Sequence, residues 1–354
     1  MIMNQMKATM ADIARLAKVS PTTAARVIHN NGYVSQENRQ KVLEAVEVLG
    51  YRPNLQARSL RTQRSFSLGL VLTAARENPF YTQISHAVRT AAMDRGYSML
   101  TVNHSYSENA EAVGVQQFLD HNVEAVILCH ALNLDNIQPL TDAGIPIVQI
   151  ERHDLETAHF VELDPTPGMT EALNTLAALG HRRIAFVGGS VSAETETDGP
   201  SAERERIRAF QMAAASAGLV LEDCPVILGS YDTRGASGRL PGYALAEKLL
   251  QMSRPIVSAI ITGSDVLAAG VLQALHDRRI RVPEEISVIG YDDSFAQFLS
   301  PPLTSIAQPY DAIGQAVMTL VETAQAVPAD AIVQQMRVGT QLVSRASIGR
   351  AGES

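Results

Sequence analysis

The strongest constraint on the fold is an alternation that begins at residue 66, where short apolar runs are separated by segments of helix length. The separating segments include residues 80–95, 107–121, 168–180 and 202–218. Uninterrupted apolar runs that alternate with helices are typical of parallel sheets covered by helices on both faces. Seven such runs over about 230 residues predict two doubly wound units with a cleft between them, where ligands bind at the carboxyl ends of the strands. The runs are FSLGLVL, YSMLTVN, AVILCH, IPIVQIE, RIAFVGG, SAIITGS and ISVIGYDD.

Length and composition are those of an ordinary globular protein. The 354 residues exceed one small core and indicate two or three folding units. Apolar residues make up 46% and charged residues 19%, which excludes an intrinsically disordered chain. No apolar run reaches the ~18 residues of a membrane span, and MIMNQMKATM lacks the pattern of a secretory signal. Cys129 and Cys224 have no metal-ligand spacing, and two buried, reduced thiols fit an expected cytoplasmic location.

Charge is distributed unevenly along the chain, whose net charge is −8. Residues 1–64 contain ten Lys or Arg residues and four acidic residues, whereas the rest contains 19 basic and 33 acidic residues. A basic segment attached to an acidic body favours selective attraction of that segment to a polyanion, because the body repels the polyanion. The alternative is a chance cluster on a solvated face, which charge alone does not exclude.

Three short helices are predicted in the first 50 residues. Thr9 and Asp12 have the spacing of a capping box, Ser20 caps the second helix, and a third helix starts at Ser35. The first two helices, joined by AKVS, form a helix-turn-helix whose second helix can enter a DNA major groove, although generic helical hairpins share this pattern. The predicted apolar faces are Ile13, Leu16 and Ala17; Ala24, Val27 and Ile28; and Val42, Val46 and Leu49.

The next segment, GYRPNLQARSLRTQRS, has the composition of a DNA-dependent hinge. Residues 54–60 can form one or two helical turns, which are too short to be stable alone in water. Three arginines surround Leu60, so the helix is expected to fold on the phosphate backbone while Leu60 wedges into the minor groove and kinks it. A flexible basic linker is the alternative.

Residues 9–62, TMADIARLAKVSPTTAARVIHNNGYVSQENRQKVLEAVEVLGYRPNLQARSLRT, resemble the DNA-binding head of the LacI/GalR family of bacterial repressors. The resemblance implies that Pro21, Thr22 and Arg26 read bases. Arg26 can bind guanine O6 and N7 in a bidentate manner, whereas Thr22 can make one hydrogen bond or touch a thymine methyl group. Thr9, Ser20 and Thr23 are the implied phosphate contacts. The full set of implied DNA-binding residues is Thr9, Ser20, Pro21, Thr22, Thr23, Arg26, His29, Asn54, Ala57, Arg58 and Leu60.

Three positions of the head depart from the family pattern. Lys18 stands in the turn where members usually have Gly, which predicts mild backbone strain. Ala25 replaces a usual Ser, and its missing hydroxyl removes one phosphate contact. His29 replaces a usual Asn, and it either restores that contact when protonated or caps the helix.

The later part of the chain also resembles the family, through LGLVLTAARENPFYTQI, ALGHRRIAFVGG, RERIRAFQMAAASAGL, ITGSDVLAAGVLQALHDRRIRVPEEISVIGYDD and PPLTSIAQP. Family bodies are relatives of periplasmic sugar-binding proteins and bind a small effector in their cleft. The implied effector-binding residues are Asn78, Phe80, Tyr81, Glu151, Arg206, Tyr231, Ser264, Asp265 and Asp292.

The chemistry of these residues suits a polyol, since carboxylates accept from paired hydroxyls, Arg donates in a fork and an aromatic face packs on a ring. Two of them have a structural alternative: Phe80 as a core residue and Asp265 as a helix cap. Glu151 stands where the family often has Asp, and the acidic segment 190–205 is longer than usual. These two departures leave the identity of the sugar open.

The expected organisation is α/β with an all-α head. It comprises a helix-turn-helix head over 1–49, a hinge over 50–64 and a periplasmic-binding-protein-like body of two parallel-sheet subdomains over 65–354. The first subdomain is expected at about 65–163 plus 293–322, and the second at about 164–292 plus 323–348.

The expected function is that of a cytoplasmic transcriptional regulator, most simply a repressor, that binds double-stranded DNA as a homodimer on a pseudo-palindromic operator. A sugar or sugar derivative is the expected effector, with a nucleobase or a protein co-regulator as the alternative. No catalytic residue, cofactor or metal is expected. A stand-alone sugar-binding protein should carry a signal peptide and no basic head, and a carbohydrate enzyme would need Glu151 and Asp292 to act as a carboxylate pair.

Overall fold

The computed structural model describes residues 8–28, 31–51, 64–73, 79–151, 153–189, 202–229, 239–252, 257–326 and 332–352. The chain divides into two compact units, residues 1–65 and residues 66–354, called here the head and the body. No helix in the described ranges is long and apolar enough to cross a membrane.

Within its described residues the head has three helices, α1 Met10–Leu16, α2 Pro21–Ile28 and α3 Gln36–Leu49. The predicted capping box before α1 is confirmed: the Asp12 amide donates to the Thr9 hydroxyl (3.3 Å) and the Thr9 amide donates to the Asp12 carboxylate (3.0 Å). The Ser20 hydroxyl accepts from the Thr23 amide (3.0 Å) at the start of α2. Gly50 ends α3 in the left-handed conformation.

One prediction for the head core is wrong. Leu16 was expected on the apolar face of α1, but it is 48% exposed, while Ile13, Ala14 and Ala17 are buried. At ~100° per residue, positions 13, 14 and 17 form one stripe, and position 16 lies on the far side of Ile13 from its centre. The turn after α1 agrees with the prediction of strain, because Lys18 has a left-handed backbone with φ 54°.

The body contains two six-stranded sheets among its described residues. In the first, the strand order is β11-β5-β4-β3-β1-β2 and every pairing is parallel. Its strands are β1 Ser67–Leu72, β2 Ser98–Asn103, β3 Val126–Leu128, β4 Ile147–Ile150, β5 His159–Asp164 and β11 Gln335–Gly339.

The second sheet has the order β12-β10-β9-β8-β6-β7. Its pairings are parallel except that β12 runs antiparallel to β10 at the edge. Its strands are β6 Ile184–Gly189, β7 Val226–Gly229, β8 Ala259–Thr262, β9 Ser287–Asp292, β10 Thr304–Ala307 and β12 Gln341–Val343.

Helices cover both faces of each sheet, so each lobe of the body has a hydrophobic cluster on either side of its strands. This confirms the predicted pair of doubly wound units. Both cysteines are unpaired and buried, as predicted. The helices are α4 Phe80–Asp94, α5 Glu108–Asp120, α6 Leu134–Asp142, α7 Thr166–Ala178, α8 Ala202–Ser216, α9 Gly242–Leu250, α10 Asp265–Asp277 and α11 Tyr310–Ala326.

The division of the body between the lobes differs from the expected one in two places. Strand β10 lies in the second lobe, although residues 293–322 were expected in the first. Strand β11 lies in the first lobe, although residues 323–348 were expected in the second. Strand pairing is the reason, because β10 continues the parallel ladder of β9 and β11 adds to β5. The described chain therefore passes between the lobes after β5, after β10 and between β11 and β12.

Candidate functional site

The exposed face of α2 carries the side chains predicted to read bases. Pro21, Thr22 and Arg26 are exposed, while Ala24 and Val27 point into the head core. Thr22 and Arg26 are four residues apart, so they lie on the same side of the helix. This arrangement can present a hydroxyl and a guanidinium together to the edges of bases.

Arg26 is available for an external partner. Its guanidinium forms no ion pair with any residue that the structure describes, and its aliphatic stem lies beside Gly32, where a Cβ would stand 3.8 Å from Arg26 Cδ. A guanidinium presents five N–H donors in a planar fork. Arg26 therefore combines a supported stem with a donor group that forms no ion pair in the part of the chain the structure describes.

The hydroxyls predicted to contact phosphates lie at the amino ends of α1 and α2. The Thr9 hydroxyl donates to the Asp12 carboxylate (2.6 Å), and the Ser20 and Thr23 hydroxyls are 2.8 Å apart. Helix amino ends favour anions because their first N–H groups point outward and carry partial positive charge. His29, Asn54, Ala57, Arg58 and Leu60 lie outside the described residues, as do Asn78 and Tyr231 of the body.

In the body, the structure brings Glu151 and Arg206 together across the cleft. Glu151 follows β4 of the first lobe with a left-handed backbone (φ 66°), and Arg206 lies on α8 of the second lobe. Their side chains are 14% and 12% exposed and form an ion pair. A positive φ is uncommon for Glu and raises the energy of this conformation, so the surrounding structure holds the carboxylate in the cleft.

The Arg206 guanidinium is fixed from several sides. It lies 3.4 Å from the Glu203 carboxylate, donates to the carbonyl of Gly263 (3.3 Å) and lies over the Tyr291 ring, 4.6 Å from its centroid. Two carboxylates thus flank one guanidinium, and the aromatic face adds a cation–π contact. Arg206 is held in one orientation before any ligand arrives.

Asp292 ends β9 and is 3% exposed, with a left-handed backbone (φ 83°). Its carboxylate accepts from the Ser294 amide (2.9 Å), and its backbone carbonyl accepts from the Tyr310 hydroxyl (2.9 Å). Burial, followed by the nearby Asp265 carboxylate, raises the pKa of Asp292 well above its usual range. A hydroxylated ligand that donates to this carboxylate would stabilise its charged form.

Ser264 and Asp265 have structural partners that account for their side chains. The Ser264 hydroxyl caps α10 by accepting from the Leu267 amide (3.2 Å). The Asp265 carboxylate is fully buried and accepts from the Ser305 hydroxyl (2.7 Å) and the amides of Phe295 (3.3 Å) and Ala296 (3.1 Å). Burial raises the pKa of Asp265 to about 6. Ser264 thus caps α10 and Asp265 supports the loop after β9. The structural alternative for Asp265 describes it better than an effector contact.

Phe80 and Tyr81 open α4 at the cleft end of the first lobe. Phe80 is 6% exposed and belongs to the core of that lobe, with its ring edge-on to Tyr81 at 5.1 Å and 6.2 Å from Tyr310. Tyr81 is half-buried. Phe80 thus has the core environment that was its alternative, while Tyr81 retains an accessible surface.

Sequence reasoning missed a set of buried polar groups that follow the strand ends. Thr73 follows β1, Ser294 follows β9 and Gln308 follows β10, and they are 1%, 7% and 3% exposed. The hydroxyls of Thr73 and Ser294 and both amide atoms of Gln308 have no hydrogen-bond partner among the described residues. Their position within two residues of the end of an apolar strand was the available signal, since such positions line the ligand cleft of doubly wound folds.

A cavity of about 360 Å³ adjoins the Glu151–Arg206 pair. It lies between β5 and β11 of the first lobe and the start of α8 in the second, and Glu162, Arg208 and Arg337 are among its polar lining residues. Its volume is within the range of small-molecule sites. In the described ranges, no group of three or more His, Cys, Asp or Glu residues is arranged to hold a metal ion.

Two family models match this chain, one in the head and one in the body. Residues 9–54 match the model described as bacterial regulatory proteins, lacI family. Residues 173–348 match the model of a periplasmic binding protein-like domain. The first covers the helix-turn-helix, and the second covers strands β6 to β12.

Similar proteins extend over nearly the whole chain. The HTH-type transcriptional regulator AscG of Escherichia coli K12 is 34% identical over 308 residues, which are 85% of this chain and 87% of AscG. The ribose operon repressor of the same strain is 31% identical over 316 residues, 87% of this chain and 90% of that repressor.

Solved structures of transcriptional regulators are also similar to this chain. A complex of the transcriptional regulator CelR with cellobiose has 28% identity and a TM-score of 0.67, over 96% of this chain and all of that one. The lac repressor dimer bound to operator and an anti-inducer has 25% identity and a TM-score of 0.68, over 97% of this chain and 99% of that one. The chain therefore belongs to the LacI family of bacterial regulatory proteins and is a DNA-binding transcriptional regulator.

Proposed function

We propose that the body binds a small polyhydroxylated effector, a sugar or sugar derivative, between its two lobes, and that this binding switches the affinity of the head for operator DNA. The observation that carries the proposal is a set of buried polar side-chain atoms on Ser294 and Gln308 that have no hydrogen-bond partner among the described residues. The backbones of both residues are hydrogen-bonded to Asp292. Leaving a buried donor or acceptor unpaired costs about 1–3 kcal/mol per group, so such a cluster favours occupation by a hydroxyl-rich ligand.

The groups around Asp292 offer what a polyol needs. The Gln308 amide can both donate and accept, the Ser294 hydroxyl can do either, and the carboxylate accepts from paired hydroxyls. The backbones of Gln308 and Asp292 are close, since the backbone N–H of Gln308 donates to the backbone carbonyl of Asp292 (3.4 Å). Thr73 supplies a further hydroxyl from the first lobe, and Tyr81 supplies part of an aromatic surface.

Switching follows from the position of the ion pair that spans the lobes. Glu151 and Arg206 belong to different lobes, so a ligand that competes for either group changes the attraction between them. A coupling of a few kcal/mol is enough to change DNA affinity ten- to a hundredfold. The lobes are expected to transmit this change to the hinge predicted at 50–64.

The head is proposed to act as one half of a homodimer on a pseudo-palindromic operator in the cytoplasm. Arg26 and Thr22 would read bases, while Thr9, Ser20 and Thr23 would contact phosphates at the amino ends of α1 and α2. The neighbours described as a lac repressor dimer on operator and as a regulator with cellobiose support this combination of partners.

The test begins with selection of the operator from random duplex DNA by the full chain. Fluorescence anisotropy then measures operator affinity with and without a panel of sugars, sugar acids, sugar phosphates and nucleobases. One sugar-class compound is expected to change the Kd for operator by at least about tenfold. The variants Asp292→Asn and Gln308→Leu should abolish that change, whereas Gln138→Leu, at an exposed position of α6, should retain it.

A nucleobase that alone produces the shift would replace the sugar class by the alternative. A sugar whose effect persists in both cleft variants would show that the ligand binds elsewhere. If no compound acts, control by a protein partner becomes the better hypothesis.

A further inference from the structure

The cavity beside the Glu151–Arg206 pair, called here the outer chamber, is separate from the cluster around Asp292. Its walls are β5 and β11 on one side and the outer face of α8 on the other, and Asp292, Ser294 and Gln308 do not line it. The effector site proposed above therefore leaves about 360 Å³ of space between the lobes unexplained.

The first-lobe wall of the chamber is a line of paired charges. Arg337 Nε lies 2.9 Å from the Glu162 carboxylate, and its Nη1 lies 3.6 Å from the Asp164 carboxylate. The Arg337 side chain is still 63% exposed, so donors of its fork remain open to the chamber. A guanidinium beside carboxylates can bind neighbouring hydroxyls that donate to one group and accept from the other.

The second-lobe wall adds a further donor. Arg208 on α8 is exposed, and no ion pair joins it to any residue in the described ranges. Its guanidinium can reach a group in the chamber without first breaking an ion pair of this kind. Glu205 lies three residues before Arg208 on the same helix, and its carboxylate supplies an acceptor.

The chamber also has an apolar surface suited to a ring. The rings of His153 and Phe160 are stacked, with centroids 5.0 Å apart and planes 15° from parallel. On the opposite wall, Met212 is 55% exposed although it is apolar. The C–H face of a sugar ring packs well on aromatic and thioether surfaces, while its edges carry hydroxyls.

The balance of charge favours a neutral occupant over an anion. The carboxylates in the lining outnumber the guanidinium groups by four to three, and Arg206 is already paired with two carboxylates. An anion would meet net negative charge, whereas hydroxyls can bond to both kinds of group. The charged lining residues are Glu151, Glu162, Asp164 and Glu205, and Arg206, Arg208 and Arg337.

Arg206 connects the chamber to the inner site. It lines the chamber, lies over the Tyr291 ring and is near enough to Asp292 to favour the charged form of that carboxylate. We propose that the outer chamber is a second subsite that holds the second ring of a disaccharide or other glycoside, while the first ring binds beside Asp292. This inference rests on the proposed sugar effector and specifies its class as larger than a monosaccharide.

The test uses isothermal titration of the full chain with matched sugars: cellobiose and maltose against glucose, lactose against galactose, and xylobiose against xylose. At least one disaccharide should bind about tenfold or more tightly than its constituent monosaccharide. Met212→Trp, which fills the chamber from an exposed position, should bring that ratio close to one. Arg208→Ala should lower it several-fold.

Matched controls lie on and after α9, outside the chamber. Lys248→Ala removes an exposed basic residue, and Met252→Trp enlarges a partly exposed methionine, so both should keep the wild-type ratio. Thermal unfolding of each variant checks that the fold is intact.

Three outcomes would overturn the inference. Equal binding of disaccharide and monosaccharide, no disaccharide binding in any pair, or a ratio unaffected by Met212→Trp would each remove the second subsite. Monosaccharide binding that Asp292→Asn abolishes would then leave the proposed function standing. Failure of every sugar to bind would remove the effector class itself.

Discussion

The head and the body place the same functional group in opposite surroundings. In the head, Arg26 is exposed and its guanidinium makes no ion pair with a described residue. In the body, Arg206 is 12% exposed and lies between Glu151 and Glu203 over an aromatic ring. An arginine that reads bases, the role proposed for Arg26, must meet its partner from outside. An arginine between the two lobes is oriented by the protein before a ligand arrives.

This difference shows what positions the functional side chains in each region. On the exposed face of α2, local helix geometry is enough to align Thr22 with Arg26. In the cleft, burial makes an unpaired polar group costly, so each side chain depends on partners from several elements. Substitutions should therefore act on DNA reading in the head and on both stability and ligand response in the body.

The largest effect is expected from Asp265→Ala in the body. The change removes the acceptor of one hydroxyl and two backbone amides, and it should lower the free energy of unfolding by about 3 kcal/mol. Urea unfolding measures the loss, with Asp94→Ala at an exposed position of α4 as the control. A loss below about 1 kcal/mol would return Asp265 to the list of effector contacts.

The next effect is expected from Arg26→Ala in the head. Loss of a bidentate base contact should cost roughly 1–3 kcal/mol of discrimination at one base pair while leaving body stability unchanged. Competition binding with operators mutated at single positions measures this. An equal loss of affinity for operator and for random DNA would reduce Arg26 to a phosphate contact.

A pH dependence is expected from His181, which is buried in the second lobe. Its ring nitrogens face the Ser258 hydroxyl (2.9 Å) and the Gly349 carbonyl (3.0 Å), and burial lowers its pKa below 6.5. At this position the unfolded chain therefore binds a proton more readily than the folded protein does. The stabilising contribution of the neutral, buried His181 ring is present above pH 6.5 and is lost as the pH falls below it. Urea unfolding of wild type and His181→Gln between pH 5 and 8 should differ in slope; parallel curves would rule the effect out.

The smallest effect is expected from Lys18→Gly in the head. Gly adopts the left-handed conformation of this turn without a Cβ clash, which should stabilise the head by about 0.5–1 kcal/mol after its greater unfolded-state entropy is counted. Hydrogen exchange of the α1 and α2 amides measures the change. Gly32→Ala is the reverse substitution at a second left-handed position (φ 81°), and it should destabilise the head. If Lys18→Gly destabilises the head instead, the Lys18 side chain contributes a contact.

Much of the fold could be predicted because its signals are local. The seven predicted apolar runs correspond to strands β1, β2, β3, β4, β6, β8 and β9, and the helix at 80–95 is found at Phe80–Asp94. Strands β5, β7, β10, β11 and β12 were missed. Two of them, β11 and β12, have largely exposed or half-buried residues, so their sequence lacks the apolar run that marks a central strand.

The candidate site was predictable only in part. Residue chemistry and family resemblance selected Glu151 and Arg206, which form an ion pair between the lobes, and Asp292, which is buried at the end of β9. They also selected Ser264, whose hydroxyl caps α10, and Asp265, whose carboxylate accepts from the loop after β9. Whether a buried carboxylate faces a cleft or a neighbouring amide depends on the packing of distant segments, which spacing along the chain does not encode.

The sequence by itself determined the kind of protein: a basic helix-turn-helix head, two doubly wound lobes and the family to which they belong. These properties rest on periodicity, capping residues and charge, which act over a few positions of the chain. The tertiary structure alone decided which lobe holds β10 and β11, that Glu151 meets Arg206 across the cleft, and that a chamber lies beside them. Those features join residues far apart in the chain, and their energies exist once burial and strand pairing have brought the residues together.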